Sequence, residues 1–427
     1  MSKIRTVFKP VEIQEDAPRV SSDGGLLVLK KTDGQHRLTE RMASCLSDPR
    51  RGDVLHSIQK MLAQRVYAIA LGWEDCNDFD TLRHDPLYAL ALGSVPATQP
   101  TLSRFENSVN SKDLYRASLE LVDVFISRYK DRPPKRIILD LDATDDPAHG
   151  QQQFEMFNGF YDCHCYVPLL IFGSCDGAPM EILSAVLRPG NSHSGRRAAA
   201  ILRRLAKRLV EAFPRTSILV RTDAGFALPE FYAACEELGL TYLIAIAGNA
   251  ALDKKASSLM SQARAQRDET HLASRFFGEF SYSAQSWQKR ERRVVAKAEV
   301  LADKDNARFV VTNLDGDPET LYALYCMRGQ CENMIKEMKL DLLSGRTSCR
   351  LFMANSFRLL LHALAFALLS MVRNHLSGTD LAKCTMGQIR LKLLKVAAIV
   401  TESTRRFLIR LPKFHPYVSL LRQILIN

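Results

Sequence analysis

Two short apolar runs, each closed by an acidic residue, limit the folds open to this chain. The first spans residues 136–142, Arg-Ile-Ile-Leu-Asp-Leu-Asp, and the second spans residues 216–221, with Asp223 just beyond it. Runs of this length, bounded by turn residues, are typical of strands buried in an α/β sheet. Ligands of open α/β sheets bind outside the strand ends. Asp142 and Asp223 are therefore candidate site residues.

The segments around these runs predict an α/β fold with a ribonuclease-H-like core. Three antiparallel-looking strands come first, and a crossover helix, a strand, a helix and a last strand follow them. The predicted elements are strands 136–142, 166–173 and 181–187, helix 195–213, strand 216–221, helix 228–239 and strand 241–247.

The rest of the chain divides around this core. Before it the pattern is helical, apart from an apolar run at residues 26–29 that predicts a short strand. Residues 98–104 resemble the turn and opening of a helix-turn-helix recognition element, although helical bundles carry such turns without touching DNA. The predicted regions are a helical DNA-binding region at 1–132, the core at 136–249, a β-rich insertion at 250–316, the completed core at 317–350 and a basic helical region at 351–427.

Residues 319–339 contain no Pro and a single Gly, and they predict one continuous helix. Tyr325, Arg328, Glu332 and Lys339 stand in it at steps of three, four and seven. At roughly 100° of rotation per residue, these four side chains fall within an arc of about 60°. One helix face would then carry a carboxylate, two cations and a phenol. Ordinary intrahelical ion pairs could account for such a face on its own.

Asp142, Asp223 and Glu332 together make a set of hard oxygen ligands. Phosphodiester cleavage with two Mg²⁺ ions needs such a set, with the metals about 3.5–4 Å apart. Either aspartate taken alone could simply start a turn or cap a helix. Asp140 lies two residues before Asp142 and on the same face of the strand, which leaves it open as the alternative first acid.

The order of these residues resembles that of the DDE transposases of bacterial insertion sequences. The order in this sequence is Asp142, Asp223, the β-rich segment and then Tyr325-x2-Arg328-x3-Glu332-x6-Lys339. The strings LDLDATDDPAHGQQQFEMFNGFYDCHCYVPLL and RTDAGFALPEF resemble more narrowly the IS-thirteen-eighty family of that group.

The resemblance implies a metal-dependent transposase that cuts at the terminal inverted repeats of its own element and joins the ends to target DNA. The three acids would be the catalytic triad and would bind two Mg²⁺ ions, for which Mn²⁺ could substitute. Tyr325, Arg328 and Lys339 would contact the DNA end near the scissile phosphate. The partner would be double-stranded DNA, bound by a homodimer that bridges two ends.

Trp287 has two possible roles. It is one of only two tryptophans, and it stands beside the basic residues Lys289 and Arg290. Related enzymes with β insertions can hold a flipped base against an aromatic side chain, which would make Trp287 a DNA-stacking residue. A tryptophan in a β-rich segment more often belongs to the core.

The composition is that of a soluble protein with a polyanionic partner. The net charge is +11, and residues 373–427 contribute ten Lys or Arg against two acids. Such a charge favours nucleic acid or a membrane surface. The most apolar run, residues 359–372, is short for a bilayer span and suits a core helix. The first residues are polar and the ten cysteines are scattered, so we expect a bacterial cytoplasmic location.

Two other functions stay open at the level of sequence, and neither involves a small-molecule substrate. A nuclease or junction resolvase of the same fold would use the same acids without strand transfer. An inactive relative would only bind DNA. The β-rich insertion and the basic end of the chain favour the transposase, because a compact nuclease has little use for either.

Overall fold

The computed structural model describes residues 3–5, 10–12, 14–16, 18–287, 289–302 and 304–426. Its strands are β1 Lys3–Arg5, β2 Pro10–Glu12, β3 Val20–Ser21, β4 Arg136–Ala143, β5 Asp146–Pro147, β6 Met156–Asn158, β7 Cys163–Tyr166, β8 Leu169–Cys175, β9 Glu181–Val186, β10 Ser217–Thr222, β11 Thr241–Ile246, β12 Ser274–Tyr282, β13 Arg292–Val300, β14 Asp305–Thr312, β15 Ala398–Glu402 and β16 Phe407–Arg410.

The first seven α-helices follow one another between β3 and β4, and the other helices lie between or after the later strands. The α-helices are α1 Leu26–His36, α2 Leu38–Ser44, α3 Ile58–Ala70, α4 Phe79–Leu82, α5 Pro86–Leu92, α6 Gln99–Ser108, α7 Ser111–Tyr129, α8 Ala198–Ala212, α9 Pro229–Glu237, α10 Ala250–Lys255, α11 Ser257–Thr270, α12 Pro318–Cys326, α13 Gly329–Lys336, α14 Phe352–His375, α15 Met386–Ile389 and α16 Val418–Ile426. Short 3-10 helices lie at Ala224–Phe226, Gln285–Trp287 and Asp380–Lys383, and π-helical turns lie at Glu337–Asp341 and Arg390–Leu394.

The chain forms two compact units. The first unit comprises the described residues within 1–108, 341–343 and 364–427, and the second comprises those within 109–340 and 344–363. The second unit contains the three candidate acids and an eight-stranded sheet in the order β12-β13-β14-β11-β10-β4-β8-β9.

The five strands β9-β8-β4-β10-β11 are the ones that the sequence predicts for the core. The β4–β8 and β8–β9 pairs are antiparallel, whereas β4–β10 and β10–β11 are parallel. The chain passes through α8 between β9 and β10, and through α9 between β10 and β11. The predicted mixed α/β sheet is confirmed, with strand ends shifted by up to a few residues.

The β-rich segment extends this sheet and does not form a sheet of its own. Strand β14 pairs with β11 in antiparallel fashion, and β13 and β12 follow outward. Two helices that the sequence did not predict, α10 and α11, precede these strands. Asn249 caps α10 by accepting hydrogen bonds from the backbone of Ala251 and Leu252. Helix α11 has a mostly polar surface with little apolar periodicity, so its sequence lacks the amphipathic pattern that indicates a surface helix.

The two faces of the sheet bury different side chains. Ile137, Leu139 and Leu141 of β4 join the core cluster that includes α8 and α9. Ile138 packs with Leu321 of α12 on the opposite side. Because successive residues of a strand point to opposite faces, Asp140 and Asp142 lie on the side of α12.

The prediction of a strand at residues 26–29 is wrong, because these residues begin helix α1. A short apolar run cannot be assigned to a strand or a buried helix by its period alone. The backbone of Gly24 and Gly25 donates hydrogen bonds to the carbonyls of Val396 and Leu394, at 2.7 and 3.0 Å. An added Cβ at Gly25 would lie 2.4 Å from the Leu394 Cα, so the helix starts against backbone that a sequence pattern does not reveal.

Helix α14 contains the apolar run at residues 359–372. By length and composition it could cross a membrane, and it is the one described helix that meets both criteria. Its most apolar window is 83% buried within the protein. Core helices of soluble proteins meet the same criteria, so this helix does not by itself indicate a membrane.

A small sheet in the order β5-β7-β6 carries a buried acid. Asp146 of β5 accepts a hydrogen bond from the Thr347 hydroxyl through Oδ2 at 3.0 Å. Its Oδ1 has no hydrogen-bond partner among the described residues. Burial raises the pKa of Asp146 to about 7.

This raised pKa predicts a pH-dependent cost of folding. The carboxyl group binds its proton more tightly in the folded chain than in the unfolded one, so the free energy of unfolding should fall as pH rises from about 4 to 7. Asp146→Asn removes this titration. The stability advantage of the variant over wild type should grow by about 2–3 kcal/mol between pH 5 and pH 8 in urea unfolding.

The exposed Asp268 provides the matched control, because Asp268→Asn removes one charge from the surface. A difference between Asp146→Asn and wild type that stays constant across this pH range would contradict the prediction.

Candidate functional site

The two candidate aspartates stand at the ends of neighbouring parallel strands. In the ladder between β4 and β10, Leu141 pairs with Thr222, so Asp142 and Asp223 follow one position further on each strand. Neighbouring strands lie about 4.8 Å apart, which puts these two carboxylates side by side. Asp142 is buried, and Asp223 accepts a hydrogen bond from the Gly225 backbone at 2.9 Å.

Asp140, the alternative first acid, forms a buried ion pair with Arg221. Nε and Nη2 of Arg221 donate to the two carboxylate oxygens at 2.7 and 2.6 Å, and both side chains are almost fully excluded from solvent. The remaining nitrogen, Nη1, donates to the carbonyl of Leu324 at 2.8 Å. One guanidinium therefore joins β4, β10 and helix α12. Asp140 is engaged in this structural pair, which leaves Asp142 as the acid at the strand end.

The prediction of one continuous helix over residues 319–339 is wrong. Helix α12 ends at Cys326, and α13 begins at Gly329. Between them the backbone changes to three-residue hydrogen bonding, with the Arg328 amide donating to the Tyr325 carbonyl and the Cys331 amide donating to the Arg328 carbonyl. Gly329 has low helix propensity, and the break directs the Arg328 side chain toward the sheet.

Arg328 joins two of the three predicted catalytic acids. Its Nη1 lies 3.0 Å from Asp142 Oδ2, and its Nη2 lies 3.1 Å from Glu332 Oε1. The Arg328 side chain is mostly buried, whereas that of Glu332 is 55% exposed. The guanidinium thus occupies the space between these carboxylates.

The charges at this site depend on one another. Burial raises the pKa of Asp142 to about 6, the cation of Arg328 opposes this rise, and the charge of Asp223 adds to it. Burial acts to lower the pKa of Arg328, but the charges of Asp142, Tyr325 and Asp223 and the hydrogen bond to Asp142 together outweigh it and raise that pKa. Arg328 therefore favours the charged form of Asp142, whereas burial and the charge of Asp223 oppose it.

The other two residues of the signature lie on either side of this group. Tyr325 is mostly buried beside Arg328, and burial raises its pKa. Lys339 donates to the Thr144 hydroxyl at 3.3 Å and to the Asp145 carboxylate at 2.8 Å. Burial acts to raise the pKa of Asp145, yet the hydrogen bond and charge of Lys339 lower it overall. The signature cation Arg328 is thus paired with an acid near the end of strand β4, and Lys339 is paired with an acid just beyond that strand.

Trp287 lies apart from this group, in the core of the second unit. Its side chain is 5% exposed and packs edge-on against Tyr232 and Tyr282, with ring centroids 5.2 and 5.5 Å away. The Arg292 guanidinium lies 5.1 Å from its ring. In this conformation the indole offers no face to a base.

The donor set at the strand ends suits a divalent cation, although the present spacing does not form a closed cage. Within the described residues, no three His, Cys, Asp or Glu side chains lie close enough together to hold a metal ion. Asp142 and Asp223 are nonetheless hard oxygen donors at the ends of neighbouring strands, and the cation of Arg328 pairs with Asp142. The group therefore has the chemistry of a cation site in which an arginine provides the positive charge.

A family model described as Transposase DDE domain group 1 matches residues 5–427. This chain belongs to the DDE transposase family. Among solved structures, the "Mos1 transposase paired-end complex with left transposon end" matches with 14% sequence identity and a TM-score of 0.17, over 52% of this chain and 74% of that one. A comparison with curated proteins finds no match.

Sequence reasoning missed several residues that shape the site of this DDE transposase. Asp145 and Thr144 hold Lys339, and Arg221 holds Asp140. A signal for Arg221 was present, because it is a charged residue inside an otherwise apolar strand and therefore needs a buried partner. It also stands two positions before Asp223, as Asp140 stands two before Asp142.

The two aspartates of β4 should respond differently to the same substitution. Asp140→Asn removes the charge that neutralises the buried Arg221, and breaking a buried ion pair in this way costs about 3–5 kcal/mol. Asp142→Asn should cost much less, because burial already disfavours the Asp142 charge and Arg328 keeps Glu332 as a partner. Urea unfolding of both variants at neutral pH measures the difference. Equal losses would contradict the separation into a structural and a site acid.

Proposed function

We propose that this DDE transposase cuts DNA at the terminal inverted repeats of its own element and joins the freed ends to target DNA. The proposal rests above all on Asp142 and Asp223, which end neighbouring parallel strands in register, with Glu332 linked to Asp142 through Arg328. The strand order β9-β8-β4-β10-β11 supports a ribonuclease-H-like core. The sequence strings quoted above favour the IS-thirteen-eighty group within the family.

In this proposal Asp142, Asp223 and Glu332 hold two Mg²⁺ ions, or Mn²⁺ in their place. The metals would supply an activated water and would clamp the attacking and leaving oxygens of the phosphodiester. Arg328 must release Asp142 and Glu332 to make room. The exposed side chain of Glu332 leaves space for the rotation that this release requires.

Arg328 and Lys339 have a common task in this proposal. Each cation pairs with an acid in the present conformation, and a DNA phosphate would compete for it. The planar guanidinium of Arg328 matches two phosphate oxygens, and the ammonium of Lys339 acts as a point charge. We propose that both cations exchange their carboxylate partners for phosphates of the bound end, with Tyr325 beside the scissile phosphate.

The remaining assignments concern DNA binding and assembly. The region at 1–132 and the basic region at 351–427 would hold double-stranded DNA. For the second region the support is its charge, because residues 373–427 carry an excess of basic residues. Two copies of the chain would bridge two element ends as a homodimer, in the bacterial cytoplasm.

Substitution of the triad tests the proposal directly. Asp142→Asn, Asp223→Asn and Glu332→Gln each remove a metal-binding charge while preserving shape, so cleavage of DNA with the element's ends should fall below detection. Binding of the same DNA should change little. Gel-based cleavage and mobility-shift assays, both with Mg²⁺ and with Mn²⁺, measure the two effects.

Glu319→Gln is the matched control, because Glu319 is an exposed carboxylate in the same segment and should leave cleavage intact. Wild-type cutting by a triad variant would remove that residue from the site. A wild-type chain that cuts ends but cannot join pre-cleaved ends would be a nuclease. One that binds ends but never cuts them would be an inactive DNA-binding protein.

A further inference from the structure

An exposed aromatic turn lies beside the candidate active site. Strands β6 and β7 form a hairpin, and Phe160 at its tip is 87% exposed. Phe157, on β6, is also largely exposed. Large aromatic side chains carry the strongest tendency toward burial or contact, so a nearly bare ring on an ordered turn indicates a surface that binds something.

The tip of this hairpin is held in a fixed conformation. Asn158 Oδ1 accepts hydrogen bonds from the backbone amides of Phe160 and Tyr161, at 3.0 and 3.4 Å. The Tyr161 hydroxyl donates to the Ala143 carbonyl at 3.2 Å, directly after Asp142. The Phe160 and Tyr161 rings meet edge to face with centroids 4.9 Å apart. The exposed ring is therefore anchored to the strand that carries Asp142.

Close backbone packing also sets the distance from the hairpin to Asp223. An added Cβ at Gly190 would lie 2.1 Å from the Cys165 carbonyl of the hairpin. At Gly195 it would lie 2.7 Å from the Gly225 carbonyl, in the turn after Asp223. The two glycines thus let the loop of residues 190–195 pack directly against the hairpin at one end and against the Asp223 turn at the other.

The hairpin, this loop and the Asp223 turn enclose a cavity of about 1050 Å³. Phe157, Phe160, Asp223 and Tyr325 all line it. The cavity is larger than most small-ligand pockets, and of the three candidate acids it is Asp223 that lines it. Ser192 also lines it, and its hydroxyl is buried without a hydrogen-bond partner among the described residues. A buried unpaired hydroxyl at a cavity wall is suited to a polar group of a ligand.

The chemistry of the wall points to an unpaired nucleotide. Aromatic rings stack on the face of any base, whereas a base inside a duplex has both faces covered by its neighbours. The cationic Arg308 at the cavity's edge suits a phosphate, and Ser192 suits a sugar or base edge. We propose that Phe160, supported by Phe157, stacks an unpaired base of the DNA strand whose phosphodiester lies at Asp223. This inference rests on the proposed function as a DNA-cutting enzyme.

Binding of short oligonucleotides tests the stacking. The probe is a 12-nucleotide single strand that carries one 2-aminopurine, compared with the same sequence as a blunt duplex. Phe160→Ala should weaken single-strand binding roughly 10-fold or more and change duplex binding much less. Wild type should quench the 2-aminopurine fluorescence, and Phe160→Ala should quench it less, all at one fixed salt concentration.

Three further variants make the result specific. Phe160→Trp keeps an aromatic face and should restore binding, whereas Phe160→Leu keeps only the apolar character and should not. Leu272 is a large apolar side chain that is 71% exposed and lies outside the regions proposed to bind DNA, so Leu272→Ala is the control and should bind like wild type. Since Phe160 and Leu272 are both exposed, neither alanine variant should lower the melting temperature.

Equal single-strand affinities for Phe160→Ala and Leu272→Ala would overturn the inference. Rescue by Phe160→Leu would also overturn it, as would a wild type that does not bind single strands. The rescue by Leu would indicate an apolar contact with another protein. If wild type cuts element ends while Phe160→Ala binds single strands normally, the inference fails alone. If Phe160-dependent stacking is measured but no DNA is ever cut, the proposed function fails and the stacking surface stands.

Discussion

The buried ion pair between Asp140 and Arg221 holds together the elements on which the site depends. Asp140 lies on β4 and Arg221 on β10, and the third contact of the guanidinium is the Leu324 carbonyl on α12. Desolvation of two charges is costly, and here two direct hydrogen bonds and one carbonyl contact offset that cost. A one-residue slip between the strands would separate the pair, so the pair enforces the register that sets Asp142 beside Asp223.

Arg328 is a second arginine that pairs with carboxylates, and it is more accessible to solvent than Arg221. Arg328 bridges Asp142 and Glu332 as Arg221 bridges Asp140 and helix α12, but Arg328 retains access to solvent and one of its partners is largely exposed. The fully buried contact of Arg221 with Asp140 is therefore structural, whereas the contacts of Arg328 are accessible to a competing cation or phosphate. Under the proposed function, this contrast would allow the three acids to bind metal ions once Arg328 is displaced, although within the described residues they form no closed cage.

The sequence predicted the parts of the site that depend on strand pattern, and it failed where tertiary contacts decide. Asp142 and Asp223 were found because apolar runs end at both, and the ladder of β4 and β10 brings these ends together. The break before Gly329 was missed, since helical spacing continues through it and a single glycine does not end a helix by itself; the pairing of Arg328 with Asp142 accompanies the turn. Burial of Trp287 in the core was one of its two predicted roles, whereas the exposure of Phe160 was not predicted, because an aromatic residue in a β-rich sequence has no pattern that tells inside from outside.

Binding of Mn²⁺ is the measurement that tests the central claim most directly. Crystals of the chain with a DNA end and Mn²⁺, with diffraction recorded near the manganese absorption edge, would locate each metal by its anomalous signal. The account predicts Mn²⁺ between the carboxylates of Asp142 and Asp223, a second ion that includes Glu332 among its ligands, and Arg328 turned to a phosphate. Mn²⁺ bound elsewhere, with Arg328 still joined to Asp142 while DNA occupies the site, would contradict it.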